Sequence, residues 1–144
     1  MEYNEHIGKY ISYLYRIGQC FINKRLEPYN IGSGQFPYLM VLFNKDGISQ
    51  ESINEIVRMD KATTVRAIKK LVAEGYVHRK RDLLDRRSYK IFLTDRGLSM
   101  KPIIFNILRE WNSILLKNMD DQEKIFALKL LGKMAENISQ LKNN

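Results

Sequence analysis

Two adjacent arginines, Arg86 and Arg87, stand in the middle of a segment whose flanking residues alternate like two β-strands. An arginine on a narrow protrusion is suited to the minor groove of DNA, where closely spaced phosphates concentrate negative potential. Asp85 stands two residues before Arg87, and its carboxylate is expected to hold the guanidinium through a bidentate pair. We expect Arg86 on a flanking phosphate and Arg79, on the first strand, along the DNA backbone. The alternative is a surface ion pair of little energetic value, which leaves the rest of the basic strand unexplained.

The positive charge of the chain is concentrated around this segment. Residues 58–96 hold twelve lysines and arginines against five acidic residues, so they carry +7 of the net charge of +8. Such clustering is typical of a protein that binds a polyanion. The alternative is an ordinary solvated basic surface, and charge alone does not decide between the two.

A helix is predicted in front of the hairpin, from residue 61 to about 74, with Asp60 as its N-terminal cap and Gly75 as its stop. A helical wheel predicts that its inward face carries Ala62, Val65, Ile68 and Val72. Threonine can bond a base or a phosphate, and lysine and arginine neutralise phosphates or read guanine. The candidates for the major groove or its phosphates are therefore Lys61, Thr63, Thr64, Arg66 and Lys70. The alternative is a solvent-facing helix with scattered charge.

These side chains can be positioned by a helix, a tight turn, a second helix and a basic hairpin. Ser49 can cap the first of those helices, so we predict a winged helix-turn-helix. The predicted fold class is mainly α (α+β), with a two-stranded wing and long helices at both ends of the chain. Apolar residues at steps of three and four predict helices over residues 5–27, 95–117 and 121–141. A short, very apolar run with Pro37 in its first turn and Gly47 as its C-terminal cap predicts a further helix over residues 35–45.

The pattern DKATTVRAIKKLVAEGYVHRKRDLLDRRSYKIFLTDRG, residues 60–97, resembles the recognition helix and wing of the MarR family of bacterial transcriptional regulators. It contains the Asp-x-Arg signature of that wing as Asp85 and Arg87. The Leu-Thr-x-x-Gly run follows as Leu93, Thr94 and Gly97. The upstream segment GQFPYLMVLFNKDGISQESINEIV is similar to the second and third helices of the family, so the resemblance covers most of the chain.

The resemblance implies one MarR-like domain over residues 1–144, with a winged helix-turn-helix lobe at 32–97 and dimerisation helices in 1–31 and 98–144. It also implies a homodimer that binds a pseudo-palindromic operator in double-stranded DNA. Many members are repressors that a small aromatic or anionic effector releases. The wide apolar stripes of the terminal helices independently favour a dimer, which presents two recognition helices about one DNA turn apart.

An effector pocket is a further hypothesis, and its candidate residues are aromatic side chains with one cation. Tyr13 and Tyr38 could line such a pocket with Arg16 as the anion clamp, although core or dimer contacts are the preferred interpretation. Some members of the resembling family sense oxidants through a cysteine in the region of Cys20. For Cys20 itself, a small buried hydrophobic side chain is the preferred interpretation.

Other function classes lack their motifs. Two histidines and one cysteine do not make a convincing zinc site, and no phosphate-binding glycine loop or serine elbow occurs. We therefore expect no enzyme activity, no metal and no cofactor. No apolar run approaches the roughly 20 residues of a membrane span, and the single cysteine rules out an internal disulfide, so we expect a cytoplasmic protein.

Two alternatives stay open on the sequence. The first is an architectural or RNA-binding winged-helix protein without sequence preference. The second is a protein–protein adaptor whose basic block meets an acidic partner.

Overall fold

The computed structural model describes residue 2 and residues 5–143. Helices dominate these residues, and a small antiparallel sheet lies among them, which confirms the predicted mainly α fold class. The elements in chain order are α1 (Ile7–Leu26), α2 (Phe36–Asn44), β1 (Ile48–Ser49), α3 (Gln50–Val57), α4 (Lys61–Ala73), β2 (Val77–Arg81), β3 (Tyr89–Leu93), α5 (Asp95–Leu115) and α6 (Asp121–Ser139). Short 3-10 turns cover Glu27–Tyr29 and Gln140–Asn143.

The predicted caps determine where the helices begin. Ser49 accepts the Ser52 backbone N–H at the start of α3, and Asp60 accepts the Thr63 N–H at the start of α4. These bonds satisfy backbone donors that have no partner inside the helix. After α4, Gly75 takes a φ of +79°, a conformation that side chains disfavour, and the chain turns into the hairpin.

The sheet has three strands in the order β1-β3-β2, one strand more than the predicted wing. β2 pairs with β3 from Val77 opposite Leu93 to Arg81 opposite Tyr89. The additional strand β1 pairs with the other edge of β3, with Ile48 opposite Ile91. Two residues are too few to show an alternating pattern, so β1 could not be read from the sequence.

A hydrophobic core formed by the described residues holds α4 in place. Leu39 of α2, Ile53 of α3, Ile68 of α4 and Ile91 of β3 are fully buried in it, as is Ile104 of α5. Burying one such side chain contributes roughly 1.5–3 kcal/mol, so every element of the lobe is fixed through its apolar face.

At the junction between β3 and α5, the backbone of α5 lies directly against the backbone at the start of the hairpin. The Thr94 hydroxyl donates to the Gly75 carbonyl oxygen at 2.6 Å and accepts the Gly97 N–H at 3.0 Å. Gly97 packs directly on the Tyr76 carbonyl oxygen, which itself accepts the Thr94 N–H at 3.1 Å. The Leu-Thr-x-x-Gly run is therefore the connection that fixes α5 to the base of the wing.

By its internal contacts the chain divides into two compact units, residues 1–109 and 110–144. The first contains the core described above, and the predicted domain boundaries stay predictions. In the second, α6 begins with a capping box formed by Asp120 and Glu123. None of the side chains of α6 is buried, and its apolar residues, such as Phe126 and Leu128, lie exposed. Among the described residues, every helix is too short or too polar to cross a membrane.

Candidate nucleic-acid interface

Helix α4 is rotated about its axis relative to the prediction, by about the angle between consecutive residues, so a different face is exposed. Ala62 and Val65, predicted to face inward, lie on the surface, with Val65 41% exposed. The side that packs inward carries Thr64, Ala67, Ile68 and Leu71. The surface side combines two small apolar side chains with four cations, Lys61, Arg66, Lys69 and Lys70. Ala62, Val65 and Lys69 were not among the predicted site residues.

The predicted DNA contact of Thr64 is corrected. Only 1% of this residue is exposed, so its side chain is not available to DNA. Its hydroxyl donates to the Asn54 side-chain oxygen. A threonine hydroxyl has one proton, so the Tyr38 hydroxyl, 3.2 Å away, is the donor in the second bond. Three helices are thus joined at one buried polar point, which fixes α4 against α2 and α3.

Tyr38, one of the three predicted effector-pocket residues, is corrected at the same place. Tyr38 is 1% exposed, and its hydroxyl is used by Thr64, so it offers no surface to a ligand. Tyr13 and Arg16 lie exposed on α1. The physical reason is the apolar sequence of α2, which places Tyr38 in the core, together with the buried hydroxyl that satisfies the polar tip of the tyrosine.

The N-terminus of α4 holds Arg66 through a chain of hydrogen bonds. The Thr63 hydroxyl donates to Asp60 Oδ2 at 2.6 Å and accepts Arg66 Nη2 at 3.2 Å. The side-chain bond and the backbone bond from Thr63 lower the pKa of Asp60, so its carboxylate stays ionised and keeps both bonds. The predicted site residue Thr63 therefore positions Arg66, which lies exposed on the same turn.

An open cleft of about 520 Å³ lies between α1, the 3-10 turn after it and α4. Lys24 and Lys70 line it together with Cys20. Cys20 is exposed, not the small buried side chain that was preferred from the sequence. Asn30, which lines the cleft, donates to Glu74, the C-terminal cap of α4, at 2.6 Å, so this wall of the cleft is fixed. The predicted DNA contact Lys70 thus lies on the flank of α4 that faces the cleft.

The turn of the wing, residues 82–88, is closed by four hydrogen bonds. The Asp82 N–H donates to the Ser88 carbonyl oxygen and the Ser88 N–H to the Asp85 carbonyl oxygen, each at 3.0 Å. The Asp82 carboxylate accepts the Leu84 N–H at 2.9 Å, and the Asp85 carboxylate accepts the Arg87 N–H at 3.1 Å. These bonds hold the tip in one conformation.

Asp85 does contact Arg87, but the predicted pair between the carboxylate and the guanidinium is wrong. The carboxylate of Asp85 contacts the backbone N–H of Arg87, not the guanidinium. An acidic side chain readily bonds a backbone N–H two residues later in a turn, and this local bond directs the Asp85 carboxylate towards the backbone of the turn. Asp85 therefore shapes the turn, and it leaves the arginine side chain to external partners.

The first strand of the wing carries cations that are ordered by aromatic rings. The guanidinium carbons of Arg79 and Arg81 lie 5.6 and 5.7 Å from the centre of the Tyr89 ring. Arg81 Nη2 also donates to the Tyr89 hydroxyl at 3.3 Å, and this bond lowers the pKa of Tyr89. Lys80 lies over Phe92 on the neighbouring strand. The predicted backbone contact Arg79 is thus exposed and partly oriented before any ligand binds.

Two leucines at the tip of the wing were missed by the sequence interpretation. Leu83 and Leu84 are 96% and 97% exposed, and they stand directly before Asp85. The only sequence signal was an apolar pair inside a turn rich in charges. Within the described part of the chain, no cluster of three histidine, cysteine, aspartate or glutamate residues could hold a metal ion.

Comparison with known proteins identifies relatives over most of the chain. The profile described as MarR family matches residues 31–89. The crystal structure of a MarR transcriptional regulator from Methanosarcina mazei Go1 is 52% identical, covers 94% of this chain and 97% of its own, and superimposes with a TM-score of 0.89. The HTH-type transcriptional regulator YybA of Bacillus subtilis strain 168 is 27% identical over 82% of this chain and 79% of its own.

A third relative has been crystallised with nucleic acid. It is a MarR family transcriptional regulator from Listeria monocytogenes complexed with 26mer DNA. It is 27% identical, covers 97% of this chain and 96% of its own, and has a TM-score of 0.88.

Proposed function

Because the chain belongs to the MarR family of DNA-binding transcriptional regulators, we propose that it binds a specific pseudo-palindromic operator as a homodimer and acts as an effector-responsive repressor. The observation that carries this proposal is the surface of α4, where two small apolar side chains lie among four cations. A helix of this kind can approach the floor of the major groove closely, while its cations reach bases and phosphates. The 26mer DNA bound to the Listeria relative supports the same assignment.

The roles on α4 follow from the exposed face. Lys61 and Arg66 are the cations nearest its N-terminus, and they contact bases or phosphates in the major groove. Thr63 holds Arg66, and Lys70 neutralises a phosphate at the flank. The positive end of the helix dipole adds to the attraction of a phosphate at this end.

The wing provides the second set of contacts. Arg87 enters the minor groove, Arg86 contacts the flanking phosphate, and Arg79 lies along the DNA backbone. This assignment is supported by the ordered turn, by the guanidinium that Asp85 leaves available, and by the net charge of +7 on residues 58–96. Binding should therefore weaken steeply as salt concentration rises.

A second copy of the chain would cover the apolar faces of the terminal helices. On α1, Ile7, Tyr10 and Leu14 are exposed along one side, and α6 exposes its apolar residues separately. Contiguous exposed apolar surface is typical of a protein–protein interface. A two-fold dimer also places two copies of α4 about one DNA turn apart, as a pseudo-palindromic operator requires.

The effector is proposed to be a small anionic aromatic molecule that binds in the cleft between α1 and α4. Lys24 and Lys70 supply positive charge there, and Lys70 belongs to the DNA-binding helix. A ligand that holds Lys70 in the cleft removes one phosphate contact, so it lowers the affinity for DNA.

The proposed function is tested by selecting bound duplexes from random DNA and then titrating the purified protein with the selected duplex and with random duplex. We expect a dimer in sedimentation, a preference of about a thousandfold for the selected duplex, and weaker binding when a panel of aromatic acids is added. Equal affinity for both duplexes would support an architectural protein. Absence of nucleic-acid binding in dilute salt would support an adaptor.

Val65 is expected to read a thymine methyl group through apolar contact. Val65→Ala should weaken binding to the selected operator by roughly fivefold, the loss of about one buried methyl contact. The measurement is a double-mutant cycle in which each thymine of the operator is replaced by uracil. At the contacted thymine, replacement by uracil should lower the affinity of the wild type by about the same factor as Val65→Ala does. The same replacement should not lower the affinity of Val65→Ala any further. Additive losses at every thymine would contradict this contact.

A further inference from the structure

The wing tip carries apolar surface that the fold itself does not use. Leu83 and Leu84 are each at least 96% exposed, well above the 78% of Leu128, the next most exposed large apolar side chain among the described residues. A leucine that stays in water adds no burial energy to the folded chain. A use for this pair therefore has to be sought in a partner.

The leucines are held outward by the backbone of an ordered turn. The Leu84 N–H is bonded to the Asp82 carboxylate, and the next bond joins Arg87 to Asp85. Both carboxylates bond backbone amides of the tip, and the side chains of Leu83, Leu84, Arg86 and Arg87 are exposed. The result is a narrow protrusion with an apolar end and cations beside it.

DNA satisfies both parts of this protrusion at once. The walls of the minor groove are deoxyribose rings, which accept apolar contact, and phosphates line both edges. A purely apolar protein partner would remove Arg86 and Arg87 from water without supplying an anion, which is costly. The neighbouring strand is also positively charged, which favours DNA over an apolar protein as the partner. Its cations are Arg79, Lys80 and Arg81.

We propose that Leu83 and Leu84 form an apolar wedge that enters the minor groove beside Arg87, partly separates a base step and bends the operator. This inference rests on the proposed function. Inserted apolar side chains unstack a step and bend the duplex towards the major groove. Pyrimidine–purine steps such as TA and CA deform most easily, so the wedge gives sequence preference at positions without a base hydrogen bond.

The test compares Leu83→Ser/Leu84→Ser with the wild type on the selected operator. We expect a loss of about ten- to a hundredfold in affinity, the effect of removing two partly buried leucines. The slope of log K against log salt should not change, because no phosphate contact is lost. The bend, measured by energy transfer between dyes at the duplex ends, should decrease. Operators with a TA step at the wing position should lose their advantage.

Two controls accompany the double variant. Leu98→Ser changes an exposed leucine outside the wing and should leave affinity and bend as in the wild type. Because both tip leucines are exposed, the thermal unfolding curve of the double variant should match that of the wild type.

The outcomes separate the wedge from the proposed function. Wild-type affinity and bend in the double variant would overturn the wedge and leave the regulator intact. A smaller salt slope would also overturn it, because the leucines would then act only by positioning the arginines. Loss of self-association with an unchanged bend would assign the tip to a protein contact. A wild type that binds no duplex would remove the proposed function and the wedge together.

Discussion

Gly97→Ala is expected to lower the free energy of unfolding by about 3 kcal/mol or more, a typical upper value for forcing an extra carbon into a packed site. A Cβ at this position would overlap the backbone carbonyl oxygen of Tyr76 and would also meet Leu93. A backbone atom cannot rotate away as a side chain can. α5 would have to move, and Met100 and Ile104 of α5 would move with it in the core. Urea unfolding followed by circular dichroism measures the change.

Gly34→Ala is the matched control for this prediction. No heavy atom lies within 4 Å of a Cβ added at Gly34, and its φ is not in the left-handed region. We expect a change within about 0.5 kcal/mol. An unfolding midpoint of Gly97→Ala that equals the wild-type value would show that the junction between the wing and α5 is looser than described.

Arg87→Ala is expected to weaken operator binding by about ten- to a hundredfold and to leave folding intact. The guanidinium is exposed, and Asp85 contacts only the Arg87 backbone, so the folded chain loses no side-chain bond. On DNA the same group would lie in the narrow groove, where the negative potential is strongest. Fluorescence titration at several salt concentrations measures both affinity and slope, and the slope should decrease by about one.

Arg87→Lys and Asp85→Ala distinguish the parts of this role. Lysine keeps the charge but loses the flat guanidinium, so Arg87→Lys should recover the salt slope and only part of the affinity. Asp85→Ala removes the bond to the Arg87 N–H, and it should weaken binding less than Arg87→Ala does. An Arg87→Ala protein that binds as the wild type would reject the minor-groove role.

The boundaries of the helices were predictable because their signals are local. The predicted helix at 61–74 is Lys61–Ala73, and the one at 5–27 is Ile7–Leu26. A capping residue and an apolar period of three to four residues both act within one or two turns. The hairpin was equally predictable from the sequence, since its two paired strands flank a short turn rich in charged residues.

The rotation of α4 was not predictable, because it depends on partners far along the chain. Valine and alanine are usually buried and threonine is usually exposed, so a helical wheel places Val65 inward and Thr64 outward. Thr64 is the buried residue because Tyr38 and Asn54 satisfy its hydroxyl. Without those partners, burying the hydroxyl would cost about 1–3 kcal/mol. The same contacts explain why Tyr38 belongs to the core.

Ser49 belongs to the sheet and to a helix at the same time. It pairs with Lys90 in β3 and caps α3 by accepting the Ser52 N–H. The neighbouring Asp46 carboxylate also accepts the Leu93 N–H at 2.8 Å. The wing strand β3 and helix α3 are therefore joined directly within one lobe. Under the proposed function, this connection sets the spacing between the minor-groove and the major-groove contacts. One base pair inserted between those contacts in an operator would have to be accommodated by over- or underwinding of the duplex, not by adjustment of the protein.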